Sequence, residues 1–168
     1  MKAACVVLMS LALACDGANP PTGPAIQASA SAQTGTSIPV AGTFSLAFEP
    51  TNVRQVAGNT FIDVSFHEQL SGSILGTRDG NGTLAIHPDG TLNVTDTGFL
   101  TGTVAGVSGA VNAEVRAQGT LASVAGSVTI YPQTGTGGFV GLQGVVMITG
   151  AATGPTTLAG SYEGQLNF

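Results

Sequence analysis

The chain has 168 residues, a formal charge of −5 and 25 Gly, and only 8% of its residues are charged. That length fits a single domain, and glycine at roughly twice its usual share with so few charges disfavours a helical bundle, whose exposed faces need charged residues. Four Lys plus Arg against nine acids leave no basic footprint for nucleic acid, and the glycines follow no strict three-residue repeat of the collagen kind.

At the N-terminus, Lys2 precedes a mostly apolar run from Ala3 to Ala14. The run is shorter than the ~20 residues of a bilayer span and has the build of an export signal. Ala12-Leu13-Ala14-Cys15 resembles the lipobox of bacterial lipoproteins, where cleavage before the Cys leaves a thiol and an amino terminus to be acylated. The commonest lipobox has Leu three residues before Cys; here Ala12 stands there, with Leu11 one step further out. The resemblance implies a signal peptide over residues 1–14 and lipid attachment at Cys15. It implies a protein exported to the bacterial cell envelope, with the membrane as partner through N-terminal acyl chains. More than one chain meets the requirement for stable anchoring. The alternative is an ordinary secretory signal cut near Ala14. Both Cys lie within the first fifteen residues, so an exported domain would have to stand without a disulfide. Asp16 resembles the inner-membrane retention signal of enterobacterial lipoproteins, a rule that varies between bacteria, so the leaflet stays open. From Gly17 to Ala41 the chain is uncharged and rich in Pro, Gly, Ser, Ala and Thr, which predicts a flexible tether, so residues 15–41 are read as anchored Cys plus linker.

From residue 42 to 168 the pattern has period two, punctuated by glycine. Phe44, Leu46 and Phe48 alternate with Thr43, Ser45 and Ala47, and Ile62, Val64 and Phe66 alternate with Asp63, Ser65 and His67. Thr83–Ile86 and Thr91–Thr95 flank Pro88-Asp89-Gly90, a strong turn signal. Further strands are expected at Thr101–Val104, Val111–Ala117, Val124–Tyr131, Gly144–Thr149 and Leu158–Phe168. Roughly eight strands and no amphipathic helix predict an all-β, antiparallel barrel, since closure removes edges that so few charges would protect.

Three spaced-glycine segments stand out: Leu70 to Gly76, Leu100 to Gly109 and Gly135 to Gly144. Together they resemble the bacterial DUF3224-type proteins, a family of unknown function. That family looks related to plant allene oxide cyclases and dirigent proteins, so the resemblance implies an eight-stranded, lipocalin-like barrel over Gly42–Phe168. The enzymes of that group use an acidic residue inside an apolar barrel, but no local motif carries those residues across. A shared fold does not transfer an activity.

The inventory of reactive side chains is short. Lys2 is the sole lysine. Gly135-Thr136-Gly137-Gly138 breaks the dinucleotide fingerprint at Val140, and Ser108 lacks the final glycine of a nucleophile elbow. His67 and His87 stand apart without companion ligands, so no metal site and no cofactor is expected. Asp79-Gly80-Asn81-Gly82-Thr83 begins like a calcium loop, but Leu84 replaces its turn glycine and Gly90 its closing Glu; a hairpin turn is expected there. Two polar ladders remain. Asp63, Ser65 and His67 share one strand face, and Asn112, Glu114, Arg116 and Gln118 share another. Pointing inward, Asp63, His67, Glu114 and Arg116 could orient a ligand or move a proton; pointing outward, they are a solvated wall. The favoured expectation is the outer wall. Three functional readings follow: a lipid-anchored barrel binding a small apolar molecule, a cyclase or isomerase, and a structural or protein-contacting lipoprotein with a filled barrel. The first leads. An enzyme is the weaker expectation.

Overall fold

Alternating apolar and small polar side chains build nine strands in the computed structural model, which describes residues 35–168. These are β1 (Ser37–Val56), β2 (Asn59–Gly72), β3 (Ile74–Ile86), β4 (Leu92–Val104), β5 (Val107–Thr120), β6 (Ser123–Ile130), β7 (Thr136–Gly137), β8 (Gln143–Gly154) and β9 (Thr157–Asn167). The expected signal peptide, Cys15 and most of the linker lie outside the described residues.

Every pairing is antiparallel. Each long strand pairs with the next, β6 pairs with β8, and β9 returns to β1, so eight strands close into a barrel. The two-residue β7 is an additional strand on β5. The antiparallel eight-stranded barrel expected from the sequence is therefore present. β1 starts at Ser37, ahead of the expected boundary at residue 42. It pairs with β9 from Ser37 but with β2 only from Gly42, so Pro39 sits where one side of the strand is open, the setting in which a sheet tolerates proline.

The strands are also longer than the sequence segments. The segments expected at Thr91–Thr95 and Thr101–Val104 merge into one strand, β4, which begins at Leu92, and Asp79–Thr83 is not a turn but the middle of β3. The Pro88-Asp89-Gly90 turn is present. The Gly90 amide donates to the His87 carbonyl at 3.0 Å, and Gly90 has a φ of 83°.

The two ends of the barrel differ. Where β1 begins, the connection between β6 and β8 turns inward. Its Phe139 and Leu142 are fully buried against Val104, Val111 and Leu166. Tyr162 accepts the Ile74 amide at 2.9 Å and lies 3.1 Å from the Ser71 carbonyl, tying β9 to the β2–β3 turn. At the other end, Leu46, Phe48, Leu84, Val94 and Leu158 are only half-buried and form an apolar mouth.

Candidate functional site

The faces that carry Ile62, Val64, Phe66 and Val111, Ala113, Val115 turn inward, because burying those apolar side chains is the larger gain. Period two then fixes the polar ladders on the outer wall. Asp63 receives hydrogen bonds from Thr83 Oγ1 at 2.8 Å and Asn52 Nδ2 at 3.1 Å, and pairs with Arg54. Those partners, Thr83 first, hold its carboxyl below the ordinary range. His67 Nδ1 lies 2.6 Å from Asp79 Oδ1, both side chains being more than half exposed. Arg116 Nε donates to Glu114 Oε1 at 2.5 Å, and the Tyr131 hydroxyl donates to Glu114 Oε2 at 2.5 Å. The Tyr131 bond, then Arg116, lowers the Glu114 carboxyl. Asp63, His67, Glu114 and Arg116 thus form separate surface groups. They do not meet inside the barrel.

The interior holds a different set. Glu68, Arg78 and Asp96 are the buried charged residues among those described. Glu68 faces Arg78 directly across the β2–β3 ladder, and Asp96 projects from β4 on the other side of Arg78. Arg78 Nε donates to Glu68 Oε2 at 2.6 Å and Nη1 to Asp96 Oδ1 at 2.5 Å. The Phe66 ring lies under the guanidinium, 4.6 Å from its carbon to the ring centre, a favourable seat for a cation. Glycines make this room. A Cβ at Gly98 would stand 2.8 Å from Phe66 Cζ and 3.0 Å from Arg78 Cγ, and one at Gly82 would stand 2.6 Å from Asp96 Cβ.

Burial raises the carboxyls of Glu68 and Asp96 above their ordinary range, against the opposing field of Arg78. The two carboxylates raise the Arg78 guanidinium despite its burial, and it stays charged. These shifts agree: a charged arginine lies between two acids that water no longer stabilises.

This cluster floors a chamber of about 80 Å³ reached from the apolar mouth and lined by Phe44, Val64, Leu84, Val115, Ile148 and Leu158. Beneath the cluster a void of about 30 Å³ lies above Tyr162 and Ile74. Sequence reading missed all three charged residues, although a signal was present. Glu68 is in phase with Ile62, Val64 and Phe66, and Asp96 with Leu92 and Val94. Arg78 was harder to see, because the glycines that flank it on the inward face broke the apolar pattern.

The family described as "Protein of unknown function (DUF3224)" matches residues 40–162. The chain belongs to the DUF3224 family. The match spans the three glycine segments and the whole Glu68–Arg78–Asp96 cluster. A DUF3224 crystal structure, a protein of unknown function from Shewanella oneidensis MR-1, superimposes with a TM-score of 0.65 at 18% identity. The likeness covers 79% of this chain and 98% of that one, and it establishes the shared barrel. No protein of curated function matches the chain in sequence.

Proposed function

We propose that this DUF3224 protein is an envelope lipoprotein, anchored through Cys15, whose barrel takes a small apolar molecule into the chamber above Arg78. The observation that carries the binding reading is the asymmetric interior. One half is filled by Phe139, Leu142 and their neighbours, while the other half keeps an apolar chamber behind a half-buried mouth. A barrel serving only as a solid support has no use for that chamber. Each acid beside it is already paired with a charged Arg78 through one oxygen, which favours binding over cyclase or isomerase chemistry. At about 80 Å³ the chamber is smaller than the ~150 Å³ cavity that admits benzene, so the occupant is slender or inserts only one end.

Xenon, which enters dry apolar cavities, tests the chamber. The ¹²⁹Xe resonance should shift with the wild-type protein and not with Ala117→Leu, which fills the chamber from β5. Equal shifts in both proteins, or none in either, would remove the reading. For the anchor, fatty-acid label should enter the wild type in a bacterial host and be absent from Cys15→Ser; equal labelling would sink the lipoprotein assignment.

A further inference from the structure

The cluster on the chamber floor is unbalanced. Two carboxylates share one guanidinium, and no other charged side chain is buried among the described residues. An excess charge inside an apolar barrel is costly unless something neutralises it. Arg78 uses one oxygen of each carboxylate. Among the described residues, no other side-chain hydrogen bond reaches Glu68 or Asp96, and no fully buried side-chain oxygen lacks a partner. The second oxygens, Glu68 Oε1 and Asp96 Oδ2, are therefore not completely sealed off, and both residues line the chamber.

We propose that the chamber selects a small primary amine with an unbranched apolar body, which enters ammonium first and brings its charge to Glu68 and Asp96. This rests on the chamber being a binding site and adds the chemistry of its occupant. An ammonium supplies three donors and no acceptor, which suits two carboxylate oxygens already served on one side by Arg78. Its charge balances the cluster. A fatty acid or other anion entering the same way would meet two carboxylates and is excluded by repulsion. The slender chamber suits an unbranched chain, whose tail then lies against Phe44, Leu84 and Leu158 at the mouth.

In the empty barrel a proton can play the balancing role, and burial favours it on either carboxyl. The amine replaces that proton, so its affinity rises with pH as the carboxyls ionise. The titratable groups facing the cluster are few. β2 offers Glu68, β3 Arg78, β4 Asp96 and β9 Tyr162, the last turned to the backbone of the β2–β3 turn. Glu114, on the outer face of β5, adds a like charge that raises Asp96 further. The inward buried residues of β1, β6 and β8 are apolar.

The test is calorimetric titration of the full chain with n-butylamine and with 1-butanol, which has nearly the same shape but no charge. The wild type should prefer the amine by about tenfold or more, a difference of ~1.4 kcal/mol. That preference should weaken on acidification. Glu68→Gln, which balances the cluster against Asp96 alone, should lose the preference while still binding butanol, and Asp96→Asn serves if that variant does not fold. Butanol binding as tightly as the amine in the wild type, or a preference that survives both substitutions, overturns the proposal. A xenon shift persisting in that case leaves the chamber standing; loss of xenon as well removes both.

Discussion

Without Arg78, the carboxyls of Glu68 and Asp96 would face each other inside the barrel with no counter-charge. Removing one partner of a buried ion cluster costs about 3–5 kcal/mol, chiefly from the charge left behind. Arg78→Met, which keeps much of the packing on Phe66, should therefore lower stability by about that much in urea unfolding. Glu68→Gln should cost far less, because it leaves a balanced pair. The same residues set a pH dependence of known sign. Glu68 and Asp96 hold protons more tightly folded than unfolded. Their contribution is complete below the ordinary carboxyl values of 4.5 and 3.8 and declines as pH rises through the raised ones. Asp63, Asp89 and Glu114 are lowered by their hydrogen bonds, so their contribution is lost instead as pH falls through the lowered values. In urea midpoints measured across pH, Glu68→Gln should flatten the decline on the alkaline side and leave the acid-side loss intact. A wild-type decline unchanged by that substitution would mean the buried carboxyls are not its source.

Within the strands, glycine explains both what the sequence made legible and what it hid. Phe44-Leu46-Phe48 and Val111-Ala113-Val115 announced period two, and their inward faces are where alternation places them. Asp79-Gly80-Asn81-Gly82 has the composition of a turn yet continues β3. Composition alone could not separate a glycine that bends the chain from one that makes room inside a straight strand. Gly80 is of the second kind: a Cβ there would stand 2.1 Å from the Thr97 carbonyl oxygen and 2.6 Å from Gly98 Cα. Backbone cannot rotate away as a side chain can, so Gly80→Ala must push β3 off β4. Gly90 is of the first kind, with a φ of 83° and nothing within 4 Å of its Cβ position. Gly90→Ala should cost only the conformational penalty of about 1–2 kcal/mol, and Gly80→Ala clearly more, at about 2 kcal/mol or above. Thermal unfolding of the two variants side by side measures the difference. Equal losses would show that β3 and β4 can part cheaply at this point.

For the molecule as a whole, closure protects the girth of the barrel but not its ends, and the two ends are finished differently. At one end Phe139, Leu142 and Tyr162 fill the opening, and the Ser73 amide donates to the Ala41 carbonyl at 2.9 Å. At the other, β1 leaves β9 at Ala47, and beyond Phe48 it pairs with β2 alone, with Thr51 as an extra residue in the register. Val53 and Val56 on that overhang are 59% and 55% exposed. Local opening follows buried contacts and ladder partners, so amide exchange should be fastest over Val53–Val56 and slowest around Ala113–Val115, where β4 and β6 both pair with β5 and the core is in place. A mouth that admits a ligand needs this softness, whereas the filled end needs rigidity to keep the chamber floor in register. Phe139→Ala should cost about 3–5 kcal/mol and speed exchange throughout the ring. Phe48→Ala at the half-buried mouth should speed exchange only near the overhang. Exchange over Val53–Val56 as slow as at Val115, or a Phe139→Ala effect confined to the β6–β8 connection, would contradict this division between a rigid base and a yielding mouth.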